Sequence, residues 1–328
     1  MLPTIRDVAR QAGVSIATVS RVMRDAEGVR PETRERVLGV AEQLEYVPSQ
    51  LGRQLAERRH AANGIVFPDL SGPYYAEVVL GYEGVAAELG RSVLILSTHG
   101  RPDADRAVRE MAGRCDGLVI LGRTVDDSVV EALAARRTKI VLIARPPVAA
   151  VDSVMAENHD SALALGEHLV AQGVRRVRLV GDPAVSPDVA ERWQGVREAF
   201  PDLELAPVTD LGEDAGAAVA DQALKDKDLP DAFVCANDEL ALGILGRLGK
   251  AGVDVPGDVK VTGWDDVMAA RYAGLTTVRQ PMRELGATAA RLLDELITGA
   301  RTAPRHELLP TELVIRSSTT SPSRKETT

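Results

Sequence analysis

Apolar positions in the first sixty residues recur three and four apart. Thr4 and Asp7 have the spacing of a capping box, and Ile5, Val8, Ala9 and Ala12 follow on one face, which predicts a helix over residues 5–12. Gly13-Val14 interrupts the pattern as a turn. Ser15 then caps a second predicted helix, from Ile16 to about Arg24, whose Val19 and Val22 turn inward with Val14 toward Val8 and Ala9. Pro31, acceptable at a first helical position, opens a third helix with the stripe Val37, Val40, Ala41, Leu44. Two short helices joined by a Gly-containing turn and closed by a third make a helix-turn-helix arrangement. Pro48 stops the third helix and Ser49 caps a short fourth one. Its Leu51 and Leu55, four apart, have no core to enter, which makes them candidate minor-groove wedges.

Beyond residue 60 the pattern changes to short β-branched runs separated by helical stretches: Ile65–Phe67, Val93–Leu96, Leu118–Leu121, Ile140–Ile143, Val177–Val180, Phe233–Cys235 and Val259–Val261. Strands alternating with helices predict an α/β body with parallel sheets. The runs fall into two halves around residue 155, and two doubly wound lobes with a cleft between them fit this best. Ligands of such sheets bind beyond the C-terminal strand ends. Those ends carry Asp69, Tyr74 and Tyr75, then His99, Arg123, Arg145, Arg192 with Trp193, Asn237-Asp238, and Trp264-Asp265-Asp266. Only ten aromatic residues occur in the chain, yet four lie on these loops, beside groups able to make paired hydrogen bonds. Sugars are held in this manner, by rings stacked on aromatics and hydroxyls gripped by Asp, Asn and Arg. Blander readings stand beside this one: Asp238 as the cap of the next helix, Asp69 as a turn residue, His99 as a loop residue, and Trp193 packed under Arg192.

Charge refines the picture. The 328 residues carry a net charge of −9, which argues against a nucleic-acid partner, but the distribution is uneven. Residues 1–60 are net positive by 2 and the remainder net negative by 11; residues 1–24 hold four Arg and one acid, Asp7. A basic head on an acidic body can grip phosphate while the body is held off the duplex. In the second helix, Ile16 and Ala17 are placed to touch thymine methyls and Arg21 to pair with guanine; Thr4, Ser15, Thr18 and Ser20 offer hydroxyls to phosphates. The same spacing also fits an ordinary three-helix cap with a solvated Arg21. The only two cysteines, Cys115 and Cys235, lie in apolar runs and read as buried thiols, with no metal site expected. No apolar run is long enough for a membrane span and no signal-peptide pattern opens the chain, so the expected compartment is the cytoplasm.

The stretches Asp-Val-Ala, Ala-Gly-Val-Ser and Thr-Val-Ser-Arg-Val within residues 4–22, and Tyr-Val-Pro-Ser-Gln-Leu-Gly-Arg-Gln-Leu-Ala at 46–56, resemble the headpiece and hinge of the LacI/GalR family of transcriptional regulators. So do Pro-Asp-Leu-Ser-Gly-Pro-Tyr-Tyr (68–75), Glu-Arg-Trp-Gln-Gly (191–195), Ala-Asn-Asp-Glu-Leu-Ala-Leu-Gly (236–243) and Gly-Trp-Asp-Asp (263–266), which resemble the family's effector domain of type I periplasmic-binding-protein fold. The resemblance covers nearly the whole chain. It implies a helix-turn-helix headpiece over 1–47, a hinge over 48–60 and a two-lobed effector and dimerisation body over 61–320. The N-lobe would take 61–156 and 281–311 and the C-lobe 157–280 and 312–320, leaving a disordered tail at 321–328.

By resemblance, Ile16, Ala17 and Arg21 read bases and Leu55 wedges into a central CG step of a pseudo-palindromic operator bound by a homodimer. Tyr74, Tyr75, Arg145, Arg192, Asn237, Asp265 and Met282 contact a small effector, a sugar or, as the alternative, a nucleobase or nucleoside. Several residues depart from the family pattern. Gly52 weakens the hinge helix by about 1 kcal/mol, Arg30 stands where a Ser often caps the third helix, Ser-Gly-Pro replaces Ser-Asn-Pro at 71–73, and Met282 stands where others have Phe. No phosphate-binding loop, nucleophile elbow or metal-ligand cluster supports an enzyme on the α/β body, and no cofactor is implied.

Overall fold

The computed structural model describes residues 3–23, 25–46 and 60–320, and the chain divides into two units, Met1–Ala61 and Ala62–Thr328. In the first, helices α1 (Ile5–Ala12), α2 (Ile16–Met23) and α3 (Pro31–Gln43) enclose a small core of Val8, Ala9, Ala12, Val19, Val22, Val37 and Ala41. The capping box forms, with the Asp7 carboxylate accepting from the Thr4 N–H at 3.0 Å and from the Thr4 hydroxyl at 2.7 Å. Gly13 ends α1 at φ 64°, a left-handed conformation that a residue without Cβ adopts at little cost. At the start of α3 the Arg30 side chain makes no cap bond. Arg34, one turn further, instead donates to the Ala26 carbonyl at 2.7 Å and pairs with Asp25, which ties the preceding loop to the helix. The predicted hinge helix, with Leu51, Gly52 and Leu55, lies outside the described residues.

In the second unit, β1 (Ala62–Phe67), β2 (Ser92–Ser97), β3 (Gly117–Leu121), β4 (Lys139–Ile143) and β5 (Asp152–Ala156) alternate with α4 (Pro73–Glu88), α5 (Ala104–Ala112) and α6 (Asp127–Ala135). They form a parallel sheet in the order β11-β5-β4-β3-β1-β2, completed by β11 (His306–Leu309) from near the end of the chain. The central strands β1 and β3 are buried along their whole length, as expected of parallel strands covered on both faces.

A second parallel sheet runs β7-β6-β8-β9, from β6 (Val177–Val180), β7 (Glu204–Ala206), β8 (Ala232–Cys235) and β9 (Lys260–Thr262). It is built with α7 (His159–Ala171), α8 (Pro187–Ala199), α9 (Glu213–Asp226), α10 (Asp238–Lys250) and the short α11 (Met268–Tyr272). An antiparallel pair, β10 (Thr277–Arg279) with β12 (Glu312–Val314), adjoins the second sheet through bridges from Thr262 to Thr276 and from Asp265 to Arg279. The chain thus passes between the two lobes after β5, after β10 and after β11. Between the last two passes, α12 (Met282–Thr298) packs into the core of the first sheet. It meets α4 so closely that a Cβ on Gly81 would lie 1.9 Å from the Arg283 carbonyl oxygen.

All seven predicted strand runs lie in or beside observed strands, the last displaced by one residue. Five strands, β5, β7, β10, β11 and β12, were not predicted. Three of them have only three residues and so no periodicity to read. β5 opens with Asp152-Ser153, polar residues that are nonetheless buried, because Arg301 pairs with Asp152 and the Arg305 N–H donates to it at 3.0 Å.

Candidate functional site

The first candidate surface is the face of α2. Ile16, Ala17 and Arg21 are all exposed there, while Val19 and Val22 fill the core behind them. Ser15 caps the helix: its Oγ accepts from the Thr18 N–H at 3.1 Å and lies 2.9 Å from the Thr18 hydroxyl. Thr4 donates its hydroxyl to Asp7. Three of the four predicted phosphate-contact hydroxyls therefore also organise helix starts, and Ser20 is half-buried. The presented face pairs two apolar side chains with one guanidinium.

The second candidate site is the cleft at the strand ends. Pro73 starts α4 after Gly72 (φ 84°), and Tyr74 and Tyr75 sit in the first turn. Their rings meet edge to face at 5.3 Å, and Tyr75 meets Phe67 in the same way at 5.6 Å. Burial, reinforced by the charges of Asp188 and Asp265, raises the Tyr74 hydroxyl well above its ordinary range. Burial and then Asp265, Asp69, Glu239 and Asp188 push Tyr75 up to about 12. Both phenols thus stay protonated and can donate.

On the opposite wall, Arg192 projects from α8 and is buried. Its Nε donates to Asn158 Oδ1 at 2.7 Å and its Nη1 to the Ala236 carbonyl at 2.6 Å. The guanidinium carbon lies 4.4 Å from the Trp264 ring centroid, a cation–π stack. Among the described residues Nη2 makes no hydrogen bond. Asp265 is buried with φ 115°, a conformation rarely adopted by residues other than glycine, and accepts from Gln280 Nε2 at 2.6 Å. Burial and the charge of Asp238 hold the Asp265 carboxyl well above the usual range, against the opposing pull of Arg192. Asp188, one helical turn before Arg192, is likewise raised by burial and lowered by Arg192.

The predicted residues therefore separate. Tyr74, Tyr75, Arg192 and Asp265 share one electrostatic environment. Arg145 is buried with its guanidinium turned to the loop after β3: Nη1 donates to Val125 O at 2.9 Å and Nη2 pairs with Asp127. Met282 packs in the core of the first sheet. Asn237 has its amide engaged within the protein, donating to Leu211 O at 2.9 Å and Glu239 Oε2 at 3.0 Å, while its Oδ1 accepts from the Leu240 N–H at 3.1 Å. Asn237 is thus the helix cap that the sequence reading gave to Asp238. Asp238 is fully buried, accepting from the Val267 N–H at 2.8 Å and the Thr277 hydroxyl at 2.6 Å. The ring under Arg192 is Trp264, not Trp193, which packs partly buried on the C-lobe core. Asp69 does form a turn, accepting from the Ser71 N–H at 3.0 Å, and pairs with the exposed His99 at 3.3 Å.

Asp188 and Asn158 were missed as site residues, whereas Trp264 was named among the strand-end aromatics. Asp188 had a legible signal, the i,i+4 spacing that puts it on the Arg192 face of α8. Among the described residues no group of His, Cys, Asp and Glu is placed to hold a metal ion, and no helix is long and apolar enough to cross a membrane.

Residues 4–49 match the family described as bacterial regulatory proteins, lacI family, and residues 167–319 match the periplasmic binding protein-like domain. The chain is 30% identical to catabolite control protein A of Priestia megaterium, over 96% of this chain and 99% of that protein. Its fold is similar to that of the lac repressor dimer bound to operator and the anti-inducer ONPF, with a TM-score of 0.87 and 29% identity over 97% of this chain and 99% of that one. It is also similar to the transcriptional regulator CelR in its cellobiose complex, with a TM-score of 0.71 and 31% identity over 96% and 99% of the two chains. The chain belongs to the lacI family of bacterial regulatory proteins and is a DNA-binding transcriptional regulator with an effector-binding domain.

Proposed function

We propose that this regulator is a cytoplasmic homodimeric repressor, not an enzyme, whose grip on a pseudo-palindromic operator is set by a sugar bound in the cleft. The observation that carries the sugar reading is the stack of Arg192 on Trp264, with Asp265 and Asp188 beside it and the protonated tyrosine pair facing them. A guanidinium and carboxylates grip vicinal hydroxyls, and aromatic faces cover the apolar side of a pyranose. The likeness to a regulator holding cellobiose points the same way. In this reading Arg145, Asn237 and Met282 act behind the contact surface: Arg145 and Asn237 shape loops, and Met282 sets the start of α12. Ile16, Ala17 and Arg21 read base edges, and Leu55 wedges between the two half-sites. Pairing of two copies is supported by the likeness to a repressor dimer and by apolar side chains left exposed on the body, among them Ile95 of β2 and Met268 and Tyr272 of α11.

A thermal-shift screen of mono- and disaccharides, nucleobases and nucleosides on the purified full-length chain tests the effector. A ligand at a hundredfold excess over its Kd adds about 2.7 kcal/mol, several degrees for a body of this size. Sugars should shift the melt and Arg192→Ala should abolish the shift. Nucleobases shifting it while every sugar fails would overturn the sugar reading and leave the regulator intact.

A further inference from the structure

The cleft is unevenly charged. Asp188, Glu239 and Asp265 all bear on the Tyr75 hydroxyl, and Asp188 and Asp265 also bear on Tyr74. Among the described residues, the cation that bears on Tyr74, Asp188 and Asp265 is Arg192, while Arg145 pairs with Asp127 and Arg279 with Asp266 and Glu312. Asp238 also faces Asp265, and Glu191 stands beside Asp188. Glu239 reaches the opposite lobe: a Cβ on Gly72 would lie 2.6 Å from Glu239 Oε1, so this carboxylate closes against the loop that leads into the tyrosine pair. Burial raises all three carboxyls above their ordinary range, Asp188 and Asp265 against the pull of Arg192, so this part of the cleft disfavours negative charge. Beside them Trp264 Nε1 is buried with no hydrogen-bond partner among the described residues.

We propose that Asp188, Glu239 and Asp265 make the cleft selective for an effector that carries no phosphate or carboxylate, so that a neutral or amino sugar binds and its phosphorylated or acidic counterpart does not. The inference rests on the sugar reading above and narrows it. An anionic group entering here meets three acidic side chains, in surroundings that already penalise charge, and a single guanidinium whose Nε and Nη1 are held by Asn158 and Ala236. In a water-poor site that repulsion is far less screened than at the surface. A hydroxyl donates to the carboxylates instead, and a protonated amine adds attraction.

The test is calorimetric titration of the full-length protein with matched sets: glucose, glucosamine and glucose 6-phosphate; galactose and galacturonate; cellobiose and cellobionate. The neutral or amino member of a binding set should be at least tenfold tighter than its anionic partner. The isosteric variants Asp188→Asn and Glu239→Gln should each narrow that ratio several-fold, because they remove charge and keep shape. An anionic sugar binding as tightly as its neutral partner would overturn the charge selection while the sugar reading survives. A ratio unmoved in both variants would also overturn it, because exclusion would then be steric. Should only nucleosides bind, the sugar reading fails. The charge selection is then decided by the same comparison between a nucleoside and its monophosphate.

Discussion

Asp238 gives the sharpest test of the electrostatics, because the lobe that holds it carries its own reporter. Its carboxyl is pushed up to about 7, first by burial, with Glu239 and Asp266 adding to the rise and the bonds from Thr277 and Val267 opposing it. The ordinary value is 3.8. Between these two pH values the folded protein keeps a proton that the unfolded chain has lost, so this residue's contribution to stability falls as pH rises through the window. It is complete below about pH 4 and gone above about 7. Each pH unit inside the window is worth about 1.4 kcal/mol, so moving from pH 5 to pH 7 should remove roughly 2–3 kcal/mol.

Asp238→Asn does not titrate. It can keep both partners, its Oδ1 accepting from the Val267 N–H and its NH2 donating to the Thr277 hydroxyl oxygen, which makes it the isosteric non-titrating reference. Both tryptophans of the chain, Trp193 and Trp264, belong to the C-lobe core around Asp238, so intrinsic fluorescence follows unfolding of this lobe. Urea melts of both proteins at pH 5, 6 and 7 give the stability difference directly; acids remote from Asp238 cancel between them, while Asp265, which faces it, titrates with it. The stability of the native chain relative to Asp238→Asn should fall by about 2–3 kcal/mol between pH 5 and pH 7. A difference constant from pH 5 to pH 7 would refute the assignment of a raised carboxyl to Asp238.

Three further outcomes follow from named contacts. Arg21→Ala should weaken binding to an operator selected from a random duplex pool by about 1–3 kcal/mol, measured by fluorescence anisotropy at fixed salt; unchanged affinity would leave Arg21 a solvated side chain. Arg91→Met strips a nearly buried guanidinium from Asp116 (3.0 Å) and Asp294 (2.8 Å), and should cost about 3–5 kcal/mol in a circular-dichroism urea melt. Gly286→Ala puts a Cβ 2.0 Å from the Val78 carbonyl oxygen, forcing α12 off α4. Its melting temperature should drop by an amount equivalent to about 1–3 kcal/mol, whereas the same change at Gly246, inside α10 with no atom within 4 Å, should be stabilising by up to about 1 kcal/mol.

The elements that the sequence foretold are those whose signal is local. The three headpiece helices were readable because a start signal (the hydroxyls of Thr4 and Ser15, and Pro31 for the third) and an apolar stripe fall within a few residues of each other. The central strands were readable because parallel strands covered on both faces must be continuously apolar. What misled was partner identity. Asn237 and Asp238 are adjacent and both suit a helix cap. The distinction depends on Val267 and Thr277, 29 and 39 residues further on, which bury Asp238 and leave the cap to Asn237. Arg192 was found, but the ring beneath it was misassigned to its neighbour Trp193. The guanidinium is oriented by Asn158 and Ala236, 34 and 44 residues away in opposite directions along the chain, and those two bonds lay it on Trp264. Arg145 presents the converse case: the residue type suited a ligand contact, yet Val125 and Asp127, 20 and 18 residues earlier on the far side of α6 and β4, hold the guanidinium. Residue type at a strand end therefore marks where a cleft lies. Which of its polar groups face a ligand depends on which are already held by the protein, and that is a property of the crossings between lobes, where no local pattern exists to be read.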